Sequence, residues 1–572
     1  MRSLVLGALA MWWSGCATSQ GATSLAMERF PKREVLQQVA LRQPKLDVAR
    51  LSAHTIDSWT LKGPLPTHAA VTHVAPATPW ERALAADAPA FGAALSEELR
   101  CIARETAHYY LARGEHPGNA LSVFIERRCG TTAPHTRLYA VKGELPEDVA
   151  DDTWLMQWRA DLQTQLKTIG TPTLSGVAAL REKNQAVLVL AWATHNAEFS
   201  APLPLVSPGR TVTVRGRLTR GSAARIDALI NRGTLDVATC KTLDVVKPPE
   251  FAFECPVDPA DERTTLALAA FQPGRIFGDS IGDFTLWPAG QPKDTWQRPV
   301  EGSEVPKGEF NTRFLGAVNQ FRQRAKLPML TEAKGQSATA ASLTEHFFAA
   351  QLGEADAVDA DVIVLGLLAG WDVGVDIVSA GFGSQWLTGS RDLSVFLDFV
   401  LDNPFQRKAL TEPRAKLISI GSIDDADHAL AALFTTYVPL GTFDRTQSEV
   451  SIITRLNTLR RDRGLGLAQW TLWPEDEGAK VAARLSDRSW TPDQALQHAL
   501  TKTAAVARGA VRGTVQLVDN LDNFQFPTEV LMRPDINVFL AVGTYRDEEW
   551  AQTRYVVCFV VAHNRDIETA AR

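Results

Sequence analysis

Apolar residues along this chain follow two rhythms. One is the three-to-four spacing of helices, and the other is the continuous or alternating apolar run of strands. Glu105-Thr106-Ala107-His108-Tyr109-Tyr110-Leu111-Ala112 and Leu343-Thr344-Glu345-His346-Phe347-Phe348-Ala349-Ala350 both read Thr-x-His-aromatic-aromatic-x-Ala at helical spacing. Downstream of each comes a glycine-containing strand, a polar turn and an apolar strand. The first set is Leu174-Ser175-Gly176-Val177, then Arg181 to Asn184, then Ala186 to Leu190. The second is Ile418-Ser419-Ile420-Gly421, then Asp424 to Asp427, then Ala429 to Phe434. A third hairpin runs from Ala541-Val542-Gly543-Thr544 across Arg546 to Glu549 into Tyr555 to Val561. The recurrence predicts a triplicated unit. Between the first two copies the pattern changes. Thr211-Val212-Thr213-Val214-Arg215-Gly216-Arg217-Leu218 alternates at period two, and short runs such as Phe251-Ala252-Phe253-Glu254 follow between Gly, Pro and Asp. That pattern predicts a small β-sandwich.

The segment boundaries follow from these patterns. Residues 17–78, rich in Ala, Thr, Pro and Gln, read as a tether with a short helix around Lys32–Arg42. The first unit spans 79–199, the sandwich 200–297, a Pro/Gly-interrupted linker 298–310, the second unit 311–442 and the third 443–566. Arg2, an apolar run to Trp13 and Ser14-Gly15-Cys16 have the cationic start and small-residue finish of an export signal. The small residues before the cysteine resemble a bacterial lipobox, which implies a signal over 1–16, lipidation of Cys16, and a chain anchored in the cell envelope, at the outer membrane. An oxidising compartment favours pairing of neighbouring cysteines, Cys101 with Cys129 and Cys240 with Cys255. Cys558 sits in a buried strand pattern as an inert thiol. A chain of 572 residues exceeds one core, and a formal charge of -6 without basic runs argues against a nucleic-acid partner.

The second unit carries a family resemblance. Phe314-Leu315-Gly316-Ala317-Val318-Asn319-Gln320-Phe321-Arg322 with Leu327-Pro328-Met329-Leu330 resembles the opening helix and Leu-Pro-x-Leu turn of the CAP superfamily. That superfamily comprises the cysteine-rich secretory proteins, antigens and pathogenesis-related proteins. Ala340 to Phe347 resembles its second helix with the His, here His346. Gly370-Trp371 and Gly374-Val375-Asp376-Ile377 stand where the family has Gly-Tyr and Gly-Glu-Asn-Ile, and Asn403-Pro404-Phe405-Gln406-Arg407 where it has Ser-Pro-x-His-Arg. The third unit, with Leu456-Asn457-Thr458-Leu459-Arg460-Arg461, is fainter; the first retains the second helix and the hairpin. The resemblance implies an α+β fold, with tandem CAP-like α/β/α sandwich modules beside the all-β sandwich.

The family's cavity is lined by two His and acidic residues able to hold a divalent metal. Carried over position by position, the first His is His346 in the second unit and His108 in the first. The family's Glu falls at Val375, beside Asp376, and its second His at Gln406. One imidazole does not make a metal site, which takes three or four protein ligands, so neither metal nor cofactor is expected. A lone His on an apolar helical face reads as a hydrogen-bonded core residue. Gly278-Asp279-Ser280-Ile281-Gly282 matches the GxSxG pattern but is followed by a strand-like run rather than a helix. Asp424-Asp425-Ala426-Asp427-His428 lacks EF-hand spacing and reads as a solvated turn. The sequence therefore supports a non-catalytic envelope lipoprotein that binds a protein or a glycan, with exposed members of its 15 Trp as possible sugar platforms. A CAP-type or Ser280 hydrolase is the rival, and a lipid carrier the third option.

Overall fold

The computed structural model describes residues 30–42, 46, 56–91, 93–133, 136–145, 153–156, 158–159, 173–206, 209–221, 223–243, 246–272, 278–290, 292–298, 304–424, 429–507, 511–518, 520–546 and 551–563. Cys16 and most of the acidic turn, residues 425–428, lie outside them.

The chain opens with helix α1 (Arg33–Ala40) and two short strands, β1 (Ser58–Thr60) and β2 (His68–Ala69). The first unit then runs α2 (Pro79–Phe91), β3 (Ala94–Leu95), α3 (Glu97–Arg113), α4 (Asn119–Arg128), β4 (Thr136–Glu144), β5 (Leu174–Glu182) and β6 (Gln185–Ala193). Next come the sandwich strands β7 (Ala197–Phe199), β8 (Leu203–Pro204), β9 (Thr211–Leu218), β10 (Arg225–Arg232), β11 (Asp236–Thr239), β12 (Lys241–Thr242), β13 (Glu250–Pro256), β14 (Thr264–Phe271) and β15 (Gly278–Leu286), then β16 (Thr295–Gln297). The second unit is α5 (Phe310–Arg324), β17 (Thr331–Glu332), α6 (Lys334–Leu352), α7 (Ala357–Ala369), β18 (Ile377–Thr388), α8 (Leu393–Asp402), α9 (Pro404–Thr411), β19 (Leu417–Ile423) and β20 (Ala429–Pro439). The third is α10 (Arg445–Arg461), β21 (Gln469–Trp470), α11 (Glu477–Ser486), α12 (Pro492–Ala507), β22 (Arg512–Val518), β23 (Ile536–Tyr545) and β24 (Arg554–His563).

Three four-stranded sheets share one topology: β3-β5-β6-β4, β17-β19-β20-β18 and β21-β23-β24-β22. In each, the short first strand is parallel to the third and the other pairings are antiparallel. The fourth strand of each sheet carries a long apolar run because helices cover both faces. Alternate residues feed two cores. In β20, Ala429, Ala431 and Leu433 pack with α6 and α7, while Leu430, Ala432 and Phe434 pack with α5, α8 and α9. In β24, Val557, Phe559 and Val561 face α10, and Val556, Cys558 and Val560 face α11 and α12. Burial pushes the Cys558 thiol up to about 12. The first unit follows the same rule, with α3 and α4 on one face and Trp80 of α2 on the other. Thus α2 supplies the opening helix that its sequence did not reveal.

A glycine in the third strand of each sheet lets the second helix lie close. A Cβ at Gly176 would overlap the backbone of Leu99, and one at Gly421 would meet the Ala340 carbonyl carbon at 2.5 Å. At Gly543 the Ala482 carbonyl oxygen would stand 3.0 Å away.

The sandwich consists of two four-stranded sheets, β11-β10-β14-β15 and β12-β13-β9-β7. Cys240–Cys255 crosslinks it, and Cys101–Cys129 joins α3 to the end of α4. Asp402 at the end of α8 gathers the units: Arg127 of α4 approaches at 2.7 Å and Arg263 of the sandwich at 2.6 Å. Burial raises the Asp402 carboxyl, yet the two guanidiniums outweigh it and hold the group below its ordinary value.

The stretch expected to be a tether is packed in part. α1 buries Leu36 and Val39 against the second unit, Leu46 joins the same core, β1 pairs with β16, and β2 with β8. The amphipathic spacing of Leu36 and Val39 predicts a helix. Its docking place, on a unit some three hundred residues later (Arg42 to Asp359 spans 317 positions), is a tertiary fact with no local signal.

Candidate functional site

His346 projects from α6 toward α7, in the helix pair above the second sheet. Its side chain is 4% exposed, and Nε2 lies 2.7 Å from Asp359 Oδ2. Asp359 sits in the first turn of α7, a helix that Asp356 caps by accepting from the Val358 N–H at 3.0 Å. The second Asp359 oxygen accepts from Arg42 Nη1 at 2.6 Å. His346 Nδ1 is buried with no hydrogen-bond partner. The imidazole is therefore held by one carboxylate, which is itself shared with a guanidinium brought by the N-terminal segment.

The other family-derived positions do not join it. Gln406 is buried on α9, where Asn403 Oδ1 accepts from the Phe405 and Gln406 N–H groups and Pro404 occupies the first turn. Its amide donates to the Ser384 carbonyl at 3.1 Å, and its Oε1 has no partner. α9 packs with the core on one face of the sheet and α6 with the core on the other, so the sheet lies between the helices that carry Gln406 and His346. Val375 is 53% exposed. Asp376 accepts from Arg546 of the third unit at 2.6 Å rather than facing His346. His108, on α3, is half-buried. Burial lowers its pKa, against the opposing charge of Glu105.

These donors do not fit a divalent ion. One imidazole is present, its Nε2 is engaged by Asp359, and among the described residues no group of three or more His, Cys, Asp or Glu could hold a metal. Ser280 lies inside β15, paired in register with Ala269 of β14. A nucleophile elbow requires a strand-to-helix turn, which this segment is not. Every described tryptophan is buried or half-buried, so none of them stands largely exposed as a platform for a sugar ring.

The residues that carry the family pattern most clearly do a different job. Asn319 clasps Leu330, donating to its carbonyl at 2.9 Å and accepting from its N–H at 2.7 Å. Arg322, fully buried, donates to the carbonyls of Pro328, Leu410, Glu412 and Ala415. In the third unit Asn457 accepts from the Ala468 N–H at 2.8 Å, and buried Arg460 donates to Gly466, Val530 and Pro534. The Asn-x-x-Arg spacing thus fastens the loop after the first helix to the loop before the third strand in both units.

Sequence reasoning missed two further acid–His contacts. In the third unit His498 of α12 meets Glu477 of α11 at 2.9 Å, with Lys480 at 2.8 Å from the same carboxylate. In the first, His195 Nε2 stands 3.9 Å from Glu98 Oε1, and Thr132 donates to Glu98 through its N–H at 2.9 Å. Burial lowers His195 to about 4. In every unit acid and imidazole come from different elements, so local spacing carries no trace of the pairing.

No family model matches the chain, and no curated protein matches it. Among the solved structures that resemble it weakly are two CAP-type proteins. The crystal structure of Na-ASP-1 covers 46% of this chain and 90% of its own at 8% identity, with a TM-score of 0.26. A cysteine-rich secretory protein from Staphylococcus aureus subsp. aureus Mu50 covers 46% of this chain and 85% of its own at 10% identity, with a TM-score of 0.17. The two disulfides are compatible with export, and among the described residues no helix is long and apolar enough to cross a membrane.

Proposed function

We propose that this chain is a non-catalytic lipoprotein of the bacterial cell envelope, anchored through Cys16, in which three degenerate CAP-like modules and a β-sandwich present surfaces to a protein partner. The observation that carries this reading is the state of His346: a buried imidazole paired with Asp359, which is in turn covered by Arg42. A general base or a metal ligand needs an accessible nitrogen facing substrate or ion, and this one faces the interior. Framework residues support the same view, because Asn319, Arg322, Asn457 and Arg460 serve the backbone while the acid and second-His positions hold Val375 and Gln406. A protein partner is favoured over a glycan because no described tryptophan is largely exposed.

The test has two arms. Purified full-length chain is treated with a fluorophosphonate probe, and neither Ser280 nor another serine becomes labelled. Expressed in a bacterium with Cys16→Ser, the chain leaves the membrane fraction and loses incorporated fatty acid. Stoichiometric serine labelling would overturn the non-catalytic reading, and unchanged membrane association would overturn the anchor.

A further inference from the structure

The outermost strand of the third sheet, β22, is paired on one side. Its register against β24 sets Arg512 opposite Val561, Thr514 opposite Phe559 and Gln516 opposite Val557. In β23 the Val542 N–H turns away from β24 and donates to Glu449 at 3.4 Å, which fixes the alternation across the sheet. Val557, Phe559 and Val561 therefore aim their main-chain groups at β22, where Arg512, Thr514 and Gln516 meet them. Gly513, Val515 and Leu517 turn their N–H and C=O groups outward. Among the described residues nothing hydrogen-bonds to those outward groups.

The equivalent strand of the second sheet is covered. Gly421 pairs with Leu433 and Gly543 with Val556, so Ser384 and Leu517 share one register, and Gly381 and Thr514 another. Gln406 of α9 donates to the Ser384 carbonyl, and Asn119 of the first unit donates to the Trp386 carbonyl at 3.0 Å. α9 lies so near β18 that a Cβ at Gly381 would stand 2.7 Å from the Ala409 Cβ. The third unit has Thr514 there, and two short helical turns, Leu521–Asn523 and Thr528–Leu531, in place of α8 and α9. What remains beside β22 is a groove of about 620 Å³. Leu500 of α12 lines it from one face of the sheet, and Phe526, Pro527, Phe559 and Val561 from the other. The exposed Arg512 pairs with Glu529 at the rim. Gln516 holds the wall, donating to the Gln525 carbonyl at 2.7 Å and accepting from its N–H at 2.9 Å.

We propose that the outer edge of β22 and this groove take an extended segment of a protein partner, which joins the four-stranded sheet as a further strand. The inference rests on the reading that this chain recognises a protein, and it says where. Main-chain pairing comes from Gly513, Val515 and Leu517, and alternate side chains of the incoming strand enter the groove. Thr514 stands where close helix packing requires glycine, so a strand fits and a helix does not. The segment is apolar where it meets Phe526 and Pro527, and polar where it passes the Arg512–Glu529 pair.

The probe is a displayed library of short peptides panned on the full-length chain, with the tightest member then synthesised. Amide hydrogen exchange of the deuterated chain, read residue by residue by NMR, follows its binding. In the free chain Gly513, Val515 and Leu517 are expected to exchange roughly a hundredfold faster than Thr514 and Gln516, and the peptide is expected to slow them about tenfold. Val515→Pro removes one outward N–H and no ladder bond, so it is expected to weaken the peptide about tenfold with unchanged Tm. The exchange pattern needs no variant and decides the case if Val515→Pro fails to fold. Outward amides already protected in the free chain, or a library that yields no binder, overturn the site. A free chain that sediments as a dimer, and as a monomer with Val515→Pro, overturns the external partner in favour of a second copy. A peptide that binds and leaves these amides unprotected overturns the site and spares the protein-binding reading.

Discussion

The second helix of the first and third units has a glutamate in its first turn, Glu98 and Glu477, and the two carboxyls live in opposite surroundings. Glu98 of α3 is buried, faces Thr132 and His195, and desolvation lifts it to about 7. Glu477 of α11 is ringed by Lys480, His498 and Lys502, which bring it down to about 2, the Lys480 hydrogen bond first and the His498 one next. The second unit has buried Gln336 in the first turn of α6, accepting from the Asp372 N–H at 2.7 Å. One framework thus tolerates three chemistries in the first turn of its second helix, while the Asn-x-x-Arg clasp recurs in the second and third units. What repeats serves the backbone, and what varies is the ionisable chemistry above the sheet.

The sharpest way to break this comparison is to remove the shared part. Arg322→Ala and Arg460→Ala each remove a fully buried guanidinium and leave three or four backbone carbonyls without their donor, so each is expected to cost about 3 kcal/mol or more in urea unfolding of the chain. The two losses should be similar, and a large difference would end the equivalence of the units.

Next comes pH. A carboxyl whose folded pKa is raised contributes stability that is fully present below its unfolded value and lost as pH rises through the folded one. For Glu98 that window runs from the ordinary 4.5 to about 7. Melting curves of wild type and Glu98→Gln across that window should converge or cross as pH rises, with a relative change approaching about 3 kcal/mol. Glu477 has the opposite sign: its contribution is present above 4.5 and lost as pH falls toward about 2.

Smaller effects follow in order. Asp359→Asn removes the charge shared by His346 and Arg42 and is expected to cost about 2 kcal/mol, since His346 is left buried beside a neutral amide. Glu477→Gln is expected to cost about 0.5 kcal/mol, because its partners Lys480, Lys502 and His498 all reach solvent and water replaces them readily. A larger loss for Glu477→Gln than for Asp359→Asn would reverse the contrast between a tie to a buried imidazole and a tie to partners that reach solvent.

Much of the framework was legible in the sequence for physical reasons. Central strands covered on both faces must be apolar at successive positions, so Ala186 to Leu190, Ala429 to Phe434 and Tyr555 to Val561 announce themselves. Gly176, Gly421 and Gly543 recur because a helix crosses each closely. The disulfides Cys101–Cys129 and Cys240–Cys255 follow from proximity in sequence. The site was not legible to the same degree. Asp359 is thirteen positions from His346 on another helix, and Arg42 lies in a stretch whose composition suggests only a tether. Asp376 illustrates the converse. Its place next to Val375, where the family's cavity Glu falls, made it a cavity candidate, yet the strand that begins at Ile377 leaves it at the edge, where Arg546 takes it.

The central claim is that the framework persists without the ion-binding and proton-transferring groups. Its most direct test is calorimetric zinc titration of the metal-free full-length chain beside His346→Ala. The account predicts no saturable uptake near one equivalent in wild type and superimposable traces for the two proteins. A tight stoichiometric site in wild type that disappears in His346→Ala would contradict it.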